Sequence, residues 1–578
     1  MLHFVNRRFS SLSVLLLCIS WVWTATSIAS TDFNFNSNST LQGLLLSDEK
    51  GHLSPTLIGT GFYLSNGPNI ETEVNALIAR QSLELVCQFP ARYSFLADLD
   101  LLDDPIDLSQ CSELQQMLSD LLVDEVWLVV ASPSVTSPMS YFGHIALVFK
   151  KPDDLYFSRA ISFLAKSENY GSELSLMIRG ALSSIQGVYA VNSFHQLINK
   201  YSEIDQRIMT AHRLVLSESE IRRLALHLVE VQQYTFDYNF FQNNCSTGIR
   251  GLLEVAIGEI DNAEVFGRFT SPNTLVSALY AEEKIDFSFQ FDPSLVAIYE
   301  QYWKLNSAER RRVRQIMRED TALELTQLTD DEMSHRIRWI IQNIYRIRFK
   351  AYGKPPSDYG SVMVQSVDWG MEPYRKVSYL QKPERYFGLA YDLSRSSNWV
   401  LSLSPGLLDT RHPIQTGAVR QTFRFLSTDI RIGFDEVQID ELKILELDYF
   451  NQRNVIWSPW SWQFQFGATR TTAQDKLLPY GMYRAGGSWG DPDTLVALMG
   501  GVYIYGDQFS PSITSTVERT WRNTSVKAEY SYFFLDPLSR LKSGLKIDIT
   551  QSLSIRSAIL FSYDMTAGHT LLGLRRGF

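Results

Sequence analysis

The segment Trp460-Ser-Trp-Gln-Phe-Gln-Phe-Gly-Ala468 carries an apolar residue at every second position, with polar residues or glycine between them. Because successive side chains of a β-strand point to opposite faces, this alternation predicts a strand with one apolar and one polar face. The pattern recurs at residues 429–435 and 526–534, and about twelve such segments, separated by turns, follow Arg385. The sequence therefore predicts an antiparallel β-rich domain over residues 357–578.

Two kinds of antiparallel domain fit this alternation, a soluble sandwich or barrel and an outer-membrane barrel. Three features favour the membrane barrel: the segments are long and numerous, their apolar faces are rich in Trp and Tyr, and the chain ends in Phe578. A terminal aromatic residue resembles the assembly signal of outer-membrane barrels, although Arg576 stands where an apolar or aromatic residue is expected. We therefore expect an outer-membrane barrel of roughly twelve strands, with a soluble β-domain as the alternative.

Length and composition narrow the class of protein further. A chain of 578 residues is too long for one ordinary core and predicts several domains. Its 45% hydrophobic and 12% aromatic residues exclude a disordered chain. A net charge of −10 argues against a general nucleic-acid-binding protein, and a mean hydropathy of −0.10 excludes a multi-helix membrane protein.

The N-terminus has the order of a secretory signal. Arg7 and Arg8 precede an apolar stretch from Leu12 to Trp23, and small residues follow as far as Ala29. This order predicts a signal peptide over residues 1–29, with an uncleaved membrane anchor as the alternative. Together with the expected barrel, it predicts an exported protein in the periplasm or outer membrane of a Gram-negative bacterium.

Four blocks follow the signal. Residues 31–122 are predicted to be helical, and residues 123–290 mix short buried strands with helices in the pattern of an α+β domain. Residues 291–356 are predicted to form a helical, charge-rich extension, and the β-rich domain completes a multidomain α+β chain. Within the extension, the run Glu309-Arg-Arg-Arg-Val-Arg314 predicts a solvated helix face, with contact to acidic headgroups as the alternative.

Three cysteines remain after the predicted signal: Cys87, Cys111 and Cys245. Export favours oxidation, and an odd count in an exported protein suggests one pair and one free thiol. Cys87 and Cys111 are 24 residues apart in the same helical block, so we expect them to form a structural disulfide. Cys245 is then free. Three buried, reduced cysteines are the alternative.

Cys245 lies where an amphipathic helix is predicted to begin, with Asn243 or Asn244 available as its cap. The apolar residues that keep the spacing of one helical face are Ile249, Leu252, Leu253, Ala256 and Ile257. At this position, unpaired N–H groups and the positive end of the helix dipole would lower the pKa of the thiol. The same N–H groups could also stabilise the oxyanion of a tetrahedral intermediate.

A thiol nucleophile needs a partner that accepts and returns a proton, and imidazole suits that task near neutral pH. His144 is the candidate base because a predicted strand fixes it and Gly143 lets another backbone approach closely. A purely structural histidine and a buried inert cysteine are the alternative. No motif identifies a third residue that would orient His144, and Ser158 is only a guess.

The two segments together resemble the N-terminal periplasmic domain of the Lnb-type lipoprotein N-acyltransferases. The resemblance spans roughly residues 40–350 and is strongest in the pairing of a Phe-Gly-His with an Asn-Cys-Ser-Thr segment. The matching residues are Phe142-Gly143-His144, Tyr201, Glu203, Arg207, Phe240-Phe241, Asn244-Cys245-Ser246-Thr247 and Arg250, with an upstream segment from Cys87 to Arg92.

This resemblance implies a papain-like thiol domain, related to NlpC-type proteins, in circularly permuted order with His before Cys. It implies that Cys245 is the nucleophile, that His144 is its base, and that Asn244, Ser246 and Gly143 support them. It further implies a phospholipid as acyl donor, a lipoprotein amine as acceptor, and no cofactor. The chain departs from the family in carrying a β-rich region where the family has helical membrane spans.

Three functions are therefore open. The first is a periplasmic cysteine acyltransferase that acts on phospholipid or lipoprotein acyl chains. The second is a cysteine hydrolase or peptidase of the same fold, and the third is a non-catalytic outer-membrane barrel protein. No metal site is predicted, because the nine histidines are scattered and no His-x-x-x-His or Cys-x-x-Cys spacing occurs.

Overall fold

The computed structural model covers most of the chain beyond the N-terminus. The predicted signal at residues 1–29 and the terminal Phe578 lie outside the described residues. The structure describes residues 34–53, 57–58, 61–136, 140–152, 154–166, 179–180, 183–261, 264, 269–319, 332–352, 375–377, 385–394, 398–409, 419–454, 458–471, 474–535, 543–554, 556–565 and 568–577.

The helices are concentrated before residue 353. They are α1 Ser39–Leu44, α2 Ile70–Ala79, α3 Leu83–Gln88, α4 Pro90–Asp98, α5 Ser112–Leu118, α6 Phe194–Leu197, α7 Glu218–Val231, α8 Cys245–Ile257, α9 Pro272–Ala281, α10 Ser294–Lys304, α11 Ser307–Glu319 and α12 Glu332–Tyr352. A π-helical turn, Ile198–Ile204, continues α6. Among the helices of the described segments, none is long and apolar enough to cross a membrane.

The strands fall into two sheets. The first contains β1 Leu57–Ile58, β2 Glu125–Ala131, β3 His144–Lys150, β4 Arg159–Ala165, β5 Ile185–Ser193, β6 Met209–Leu214, β7 Thr235–Tyr238, β8 Ile285–Phe291 and β9 Arg375–Val377. The second contains β10 Tyr386–Asp392, β11 Trp399–Ser404, β12 Gly406–Asp409, β13 Val419–Ile432, β14 Val437–Asn451, β15 Ser461–Thr471, β16 Gln474–Gly490, β17 Thr494–Tyr505, β18 Gln508–Trp521, β19 Thr524–Phe533, β20 Ser543–Ser554, β21 Ser557–Asp564 and β22 His569–Gly577.

The first sheet is antiparallel, in the order β1-β7-β5-β4-β3-β2-β6-β8-β9. Its central strands β2 and β3 are apolar on both faces, because other elements of the domain pack on each face of the sheet. Leu128 and Leu147 join the core that contains α7 and α8, whereas Val129 and Val148 join a second core on the opposite face with α6. Strand β9, from the block predicted to be β-rich, pairs with β8 and so belongs to this sheet rather than to the second.

A buried ionic contact joins the N-terminal helices to this domain, and a disulfide links two segments within those helices. Arg92 of α4 lies 3.7 Å from Glu73 and 3.3 Å from Glu230 of α7, and all three side chains are almost fully buried. Glu230 Oε1 also accepts hydrogen bonds from the backbone N–H groups of Ala91 and Arg92. Cys87 and Cys111 form a disulfide with their Cα atoms 5.5 Å apart.

The second sheet closes into a barrel. Strand β10 pairs with β11 on one side and with β22 on the other. Strands β11 and β12 lie on either side of Pro405, and both pair with β13, so they act as two halves of one strand. When β11 and β12 are counted as one, the thirteen strands of the sheet make a closed antiparallel barrel of twelve strands. This confirms the predicted barrel.

The barrel has an apolar outside and a mostly polar inside. Along β18, Ser512, Thr514 and Thr516 point inward and are buried, whereas Ile513 and Val517 point outward and are exposed. Exposed aromatic residues lie near both ends; at the end where β10 begins and β22 finishes they are Trp460, Trp489 and Trp521. This arrangement is typical of a membrane barrel, because a soluble barrel buries apolar side chains inside.

Charged side chains cross the lumen. Arg420 of β13 reaches Glu518 of β18, five strands away in the sheet, with an N···O distance of 3.0 Å. Arg484 of β16 binds Glu529 of β19 at 2.8 Å. The Arg484–Glu529 pair borders a cavity of about 570 Å³ inside the barrel.

The helical extension lies at the barrel end where β10 begins and β22 finishes. Helices α10, α11 and α12 share a core around Ile298, Ile316 and Ile340. The Tyr299 hydroxyl of α10 donates a hydrogen bond to Gln452 Oε1, in the connection between β14 and β15, at 2.7 Å. The N-terminal domains therefore lie at this end of the barrel.

We predict that a charge on the outer wall destabilises the barrel. Leu498 lies in the middle of β17 and is 53% exposed, so Leu498→Arg should lower the free energy of unfolding by about 2–4 kcal/mol in a bilayer. Urea titration of the barrel in phosphatidylcholine vesicles, followed by its heat-modifiable migration on gels, measures this. Asp507→Arg, in the β17–β18 turn, is the control. Equal stability of the two variants would contradict a lipid-facing wall.

Candidate active site

His144 is the first residue of β3, and the geometry before it requires glycine. Gly143 has a φ of +90°, and a Cβ atom there would lie 2.9 Å from the Ala131 carbonyl oxygen. Both the positive φ and the close contact disfavour any other residue. Gly143 therefore lets the chain turn tightly against β2 and present His144 at the start of its strand.

The His144 ring is buried and held from two sides. Its Nε2 lies 3.2 Å from the Ser162 hydroxyl of β4, and its ring stacks on Tyr201 with centroids 5.1 Å apart. Burial, together with the positive charges of Arg207 and Lys200, lowers the pKa of His144 to about 3. The imidazole is therefore neutral near pH 7, as a general base must be.

Ser162 is in the position to orient this ring. When Nε2–H donates to the Ser162 hydroxyl, Nδ1 carries the lone pair and is the atom that can accept a proton. The sequence offered only Ser158 as a guess, and that hydroxyl instead contacts the backbone of Asp154 and Lys151. A sequence signal for Ser162 existed, since it is the one polar residue in the middle of the apolar strand β4.

Cys245 begins α8, and Asn244 caps the helix. Asn244 Oδ1 accepts hydrogen bonds from the N–H groups of Ser246 at 2.9 Å and Thr247 at 3.1 Å, while its Nδ2 donates to the Thr270 carbonyl at 3.0 Å. The helix start and its cap thus agree with the sequence pattern. We expected the N–H groups at the helix start to be available to an oxyanion. The cap instead engages the N–H groups of Ser246 and Thr247.

The structure brings the Cys245 sulfur to the start of β3, where His144 lies. The backbone N–H of Ile145, the residue after His144, donates to the Cys245 sulfur. The Ser246 hydroxyl lies 3.9 Å from the same sulfur. The start of a helix and the start of a strand, 101 positions apart in sequence, therefore meet at one buried site.

The electrostatics of the thiol differ from the sequence expectation. Burial raises the pKa of Cys245, and this outweighs the opposing effects of the Ser246 hydroxyl, the Ile145 and Ser246 N–H groups and the charge of Arg207. The expected lowering of the thiol pKa was wrong because the helix start is only 8% exposed to water at Cys245. The resting site therefore holds a neutral thiol, and its candidate base His144 is neutral as well.

Arg207 is the buried cation of the site. It donates hydrogen bonds to the carbonyl oxygens of Ala131 at 3.0 Å and Ser132 at 2.6 Å, and to the Ser140 hydroxyl at 3.1 Å. These bonds hold the ends of the segment that leads into His144. Its guanidinium lies over the Tyr201 ring, 4.9 Å from the ring centroid. Arg207 therefore contacts both the segment before His144 and the ring that stacks on His144, and its charge also acts on the Cys245 sulfur.

Other residues singled out in the sequence lie apart from this chemistry. Arg250, on α8, forms ion pairs with Glu254 and Glu264 at 2.7 and 2.9 Å. Cys87 and Cys111 are joined in the N-terminal helical region, which leaves Cys245 as a free thiol. Within the described residues, no group of three or more His, Cys, Asp or Glu side chains is arranged to hold a metal ion.

Comparison with known proteins finds family models that match two parts of the chain. Residues 113–280 match the family model of the Lnb N-terminal periplasmic domain, which confirms the resemblance found in the sequence. Residues 406–569 match a domain of unknown function (DUF7840). No curated protein matches the chain.

Several solved barrels are similar to part of the chain. The KdgM porin has 12% identity over 34% of this chain and 98% of its own, with a TM-score of 0.20. The NanC porin has 8% identity over 33% of this chain and 97% of its own, with a TM-score of 0.21. An outer membrane channel from Pseudomonas putida F1 has 12% identity over 37% of this chain and 100% of its own, also at 0.21.

The cellular location of the protein follows from its periplasmic domain and its barrel. The matched family is a periplasmic domain, and the closed barrel carries apolar residues and aromatic rows on its outer wall. The protein therefore belongs to the periplasm and outer membrane of a Gram-negative bacterium.

The raised thiol pKa makes a testable prediction about the resting site. Below its pKa, the thiolate fraction of Cys245 should increase by about tenfold per pH unit, so alkylation by iodoacetamide should accelerate steadily from about pH 6 to about pH 9. Intact-protein mass spectrometry measures this rate, and His144→Ala should leave its slope unchanged. A rate that is constant over this range would indicate a preformed thiolate–imidazolium pair and contradict the prediction.

Proposed function

We propose that the periplasmic domain is a thiol acyltransferase, in which Cys245 takes a fatty acyl group from a phospholipid and passes it to an amine. The observation that carries this proposal is the free thiol of Cys245 at a helix start, which accepts a hydrogen bond from the residue that follows the neutral His144. The resemblance to the Lnb family supports a lipid donor and a lipoprotein N-terminus as the acceptor.

The first half-reaction forms a thioester. As the Cys245 sulfur attacks the ester carbonyl carbon, its proton moves to His144 Nδ1, and the C–S bond forms. The C–O bond to the lipid then breaks, and His144 returns the proton to the departing alkoxide. Arg207 stabilises the negative charge that develops near the sulfur.

The second half-reaction reverses these roles. The acceptor amine attacks the thioester carbonyl, gives a proton to His144 and forms an amide, while the C–S bond breaks and His144 reprotonates the thiol. The neutral resting pair suits this cycle because it separates charge only when a substrate is present. Water in place of the amine would make the same site a hydrolase, which is the second candidate of this fold.

The acyl-enzyme itself is the test of this function. Wild-type protein incubated with phosphatidylethanolamine vesicles should gain the mass of one fatty acyl group, and hydroxylamine should remove it. Cys245→Ser should show no hydroxylamine-sensitive adduct. If neither the protein nor the cellular lipid profile distinguishes wild type from Cys245→Ser, both enzymatic functions are wrong and the barrel acts without this site. Trapping by a peptide aldehyde, without any acyl adduct, would instead identify a peptidase.

Ser162 should act as a positioning residue through His144. Ser162→Ala removes the partner of Nε2, so we expect kcat for acyl transfer to fall about tenfold, the effect of one neutral hydrogen bond, with KM unchanged. Ser162→Thr keeps the hydroxyl and should restore most of kcat. Steady-state kinetics with vesicle substrate measure both parameters. A rise in KM alone, or no rescue by threonine, would contradict an orienting role.

A further inference from the structure

Five phenylalanine side chains meet where the thiol domain contacts the outer wall of the barrel. Phe142 contacts Phe269 and Phe423 with ring centroids 5.2 Å apart in each pair, and Phe241 stacks on Phe425 at 5.7 Å. We call these five residues the phenylalanine cluster. Except for Phe423, its members are only partly buried, so the cluster presents apolar surface.

Three members of the cluster adjoin the catalytic pair. Phe142 lies two positions before His144, and Phe241 lies four positions before Cys245. Phe269 precedes Thr270, whose carbonyl accepts the hydrogen bond from the capping residue of α8. The cluster is thus carried by the same segments that carry His144, Cys245 and the cap of α8, and it lies where these segments meet the barrel.

The other two members belong to the outer wall of the barrel. Phe423 and Phe425 alternate along β13 with Arg424, whose side chain forms a lumenal ion pair with Glu446. Across the neighbouring strands, Phe423 aligns with Leu447 and Phe464, and Phe425 aligns with Leu445 and Phe466. Phe466 is 43% exposed. The cluster is therefore continuous with the apolar surface that faces lipid.

The register indicates the depth of this contact. Gln421, Tyr449 and Trp462 form one row across β13, β14 and β15, and the Val135 N–H donates to Gln421 Oε1 at 2.8 Å. Tyr and Trp rows of this kind lie at the level of lipid headgroups. Phe425 lies four residues further along β13, about 13 Å at the rise of a strand. The contact therefore reaches the level of the acyl chains.

From these contacts we propose that the outer wall of β13–β15 is part of the acyl-donor site. A phospholipid in the periplasmic leaflet of the outer membrane lays one acyl chain against Phe425, Leu445 and Phe466. The phenylalanine cluster then guides the ester of that lipid sideways to Cys245. The five rings carry no charge and no hydrogen-bonding group, so they fit a hydrocarbon chain rather than a peptide or a headgroup. This inference rests on the acyltransferase function and adds the route and the leaflet.

The test compares a long-chain lipid with a short soluble ester. Phe425→Ala should lower the rate of thioester formation from phosphatidylethanolamine vesicles about tenfold, the loss expected for one large apolar contact. Its rate with p-nitrophenyl butyrate should be unchanged, because the short acyl chain of this soluble ester does not have to bind along the barrel wall. The matched control is Phe387→Ala on β10, an outward residue of 41% exposure away from the cluster, which should alter neither rate.

The outcomes separate this inference from the function on which it rests. Equal loss with both substrates, equal loss in Phe387→Ala, or no loss with vesicles would overturn the proposed route and leave the acyltransferase standing. Absence of a Cys245 adduct from either donor in the wild type would overturn the acyltransferase itself and the route with it. Should Phe425→Ala fail to assemble, Leu445→Ala on the neighbouring strand removes the facing side chain, with the same expected results.

Discussion

Closure of the barrel is the constraint on which the arrangement of the whole molecule depends. Backbone N–H and C=O groups within a bilayer need partners inside the protein, because hydrocarbon offers none. Strand β10 meets this need by pairing with both β11 and β22. Once the strands are closed, alternate side chains must enter either the lumen or the lipid. The ion pair of Arg420 and Glu518 occupies one side, and a continuous apolar wall forms the other. The thiol domain contacts that wall through Val135, Tyr141 and Phe142.

The thiol site illustrates a balance between a local and a global electrostatic effect. The start of α8 favours a thiolate at Cys245, because N–H groups and the helix dipole point toward it. Burial in the domain core favours the neutral thiol, and burial prevails. The same burial keeps His144 uncharged. A site of this kind differs from a resting ion pair: in the acyl transfer proposed above, charge would develop only when a substrate is bound, close to the buried cation of Arg207.

The features that could be predicted from the sequence are those set by near neighbours along the chain. Period-two alternation around Trp462 identifies a two-faced strand, and the spacing after Asn244 identifies a capped helix. The features that escaped prediction depend on pairing between distant segments. Ser162 meets His144 only because β4 lies beside β3 in a given register, and Tyr201 reaches the ring only through the π-helical turn. The direction of the Cys245 pKa likewise required knowledge of what surrounds the thiol.

The disulfide between Cys87 and Cys111 has a consequence for how long the free cysteine lasts. An oxidising compartment that joins these two residues also exposes any third thiol to mixed disulfides and to stepwise oxygenation of the sulfur. Such reactions proceed through the thiolate and require access to the sulfur. Cys245 is buried, and its thiol is held neutral, so both routes are slowed. The seclusion of Cys245 thus acts as chemical preservation, because it slows the loss of the thiol in the same compartment that oxidises Cys87 and Cys111.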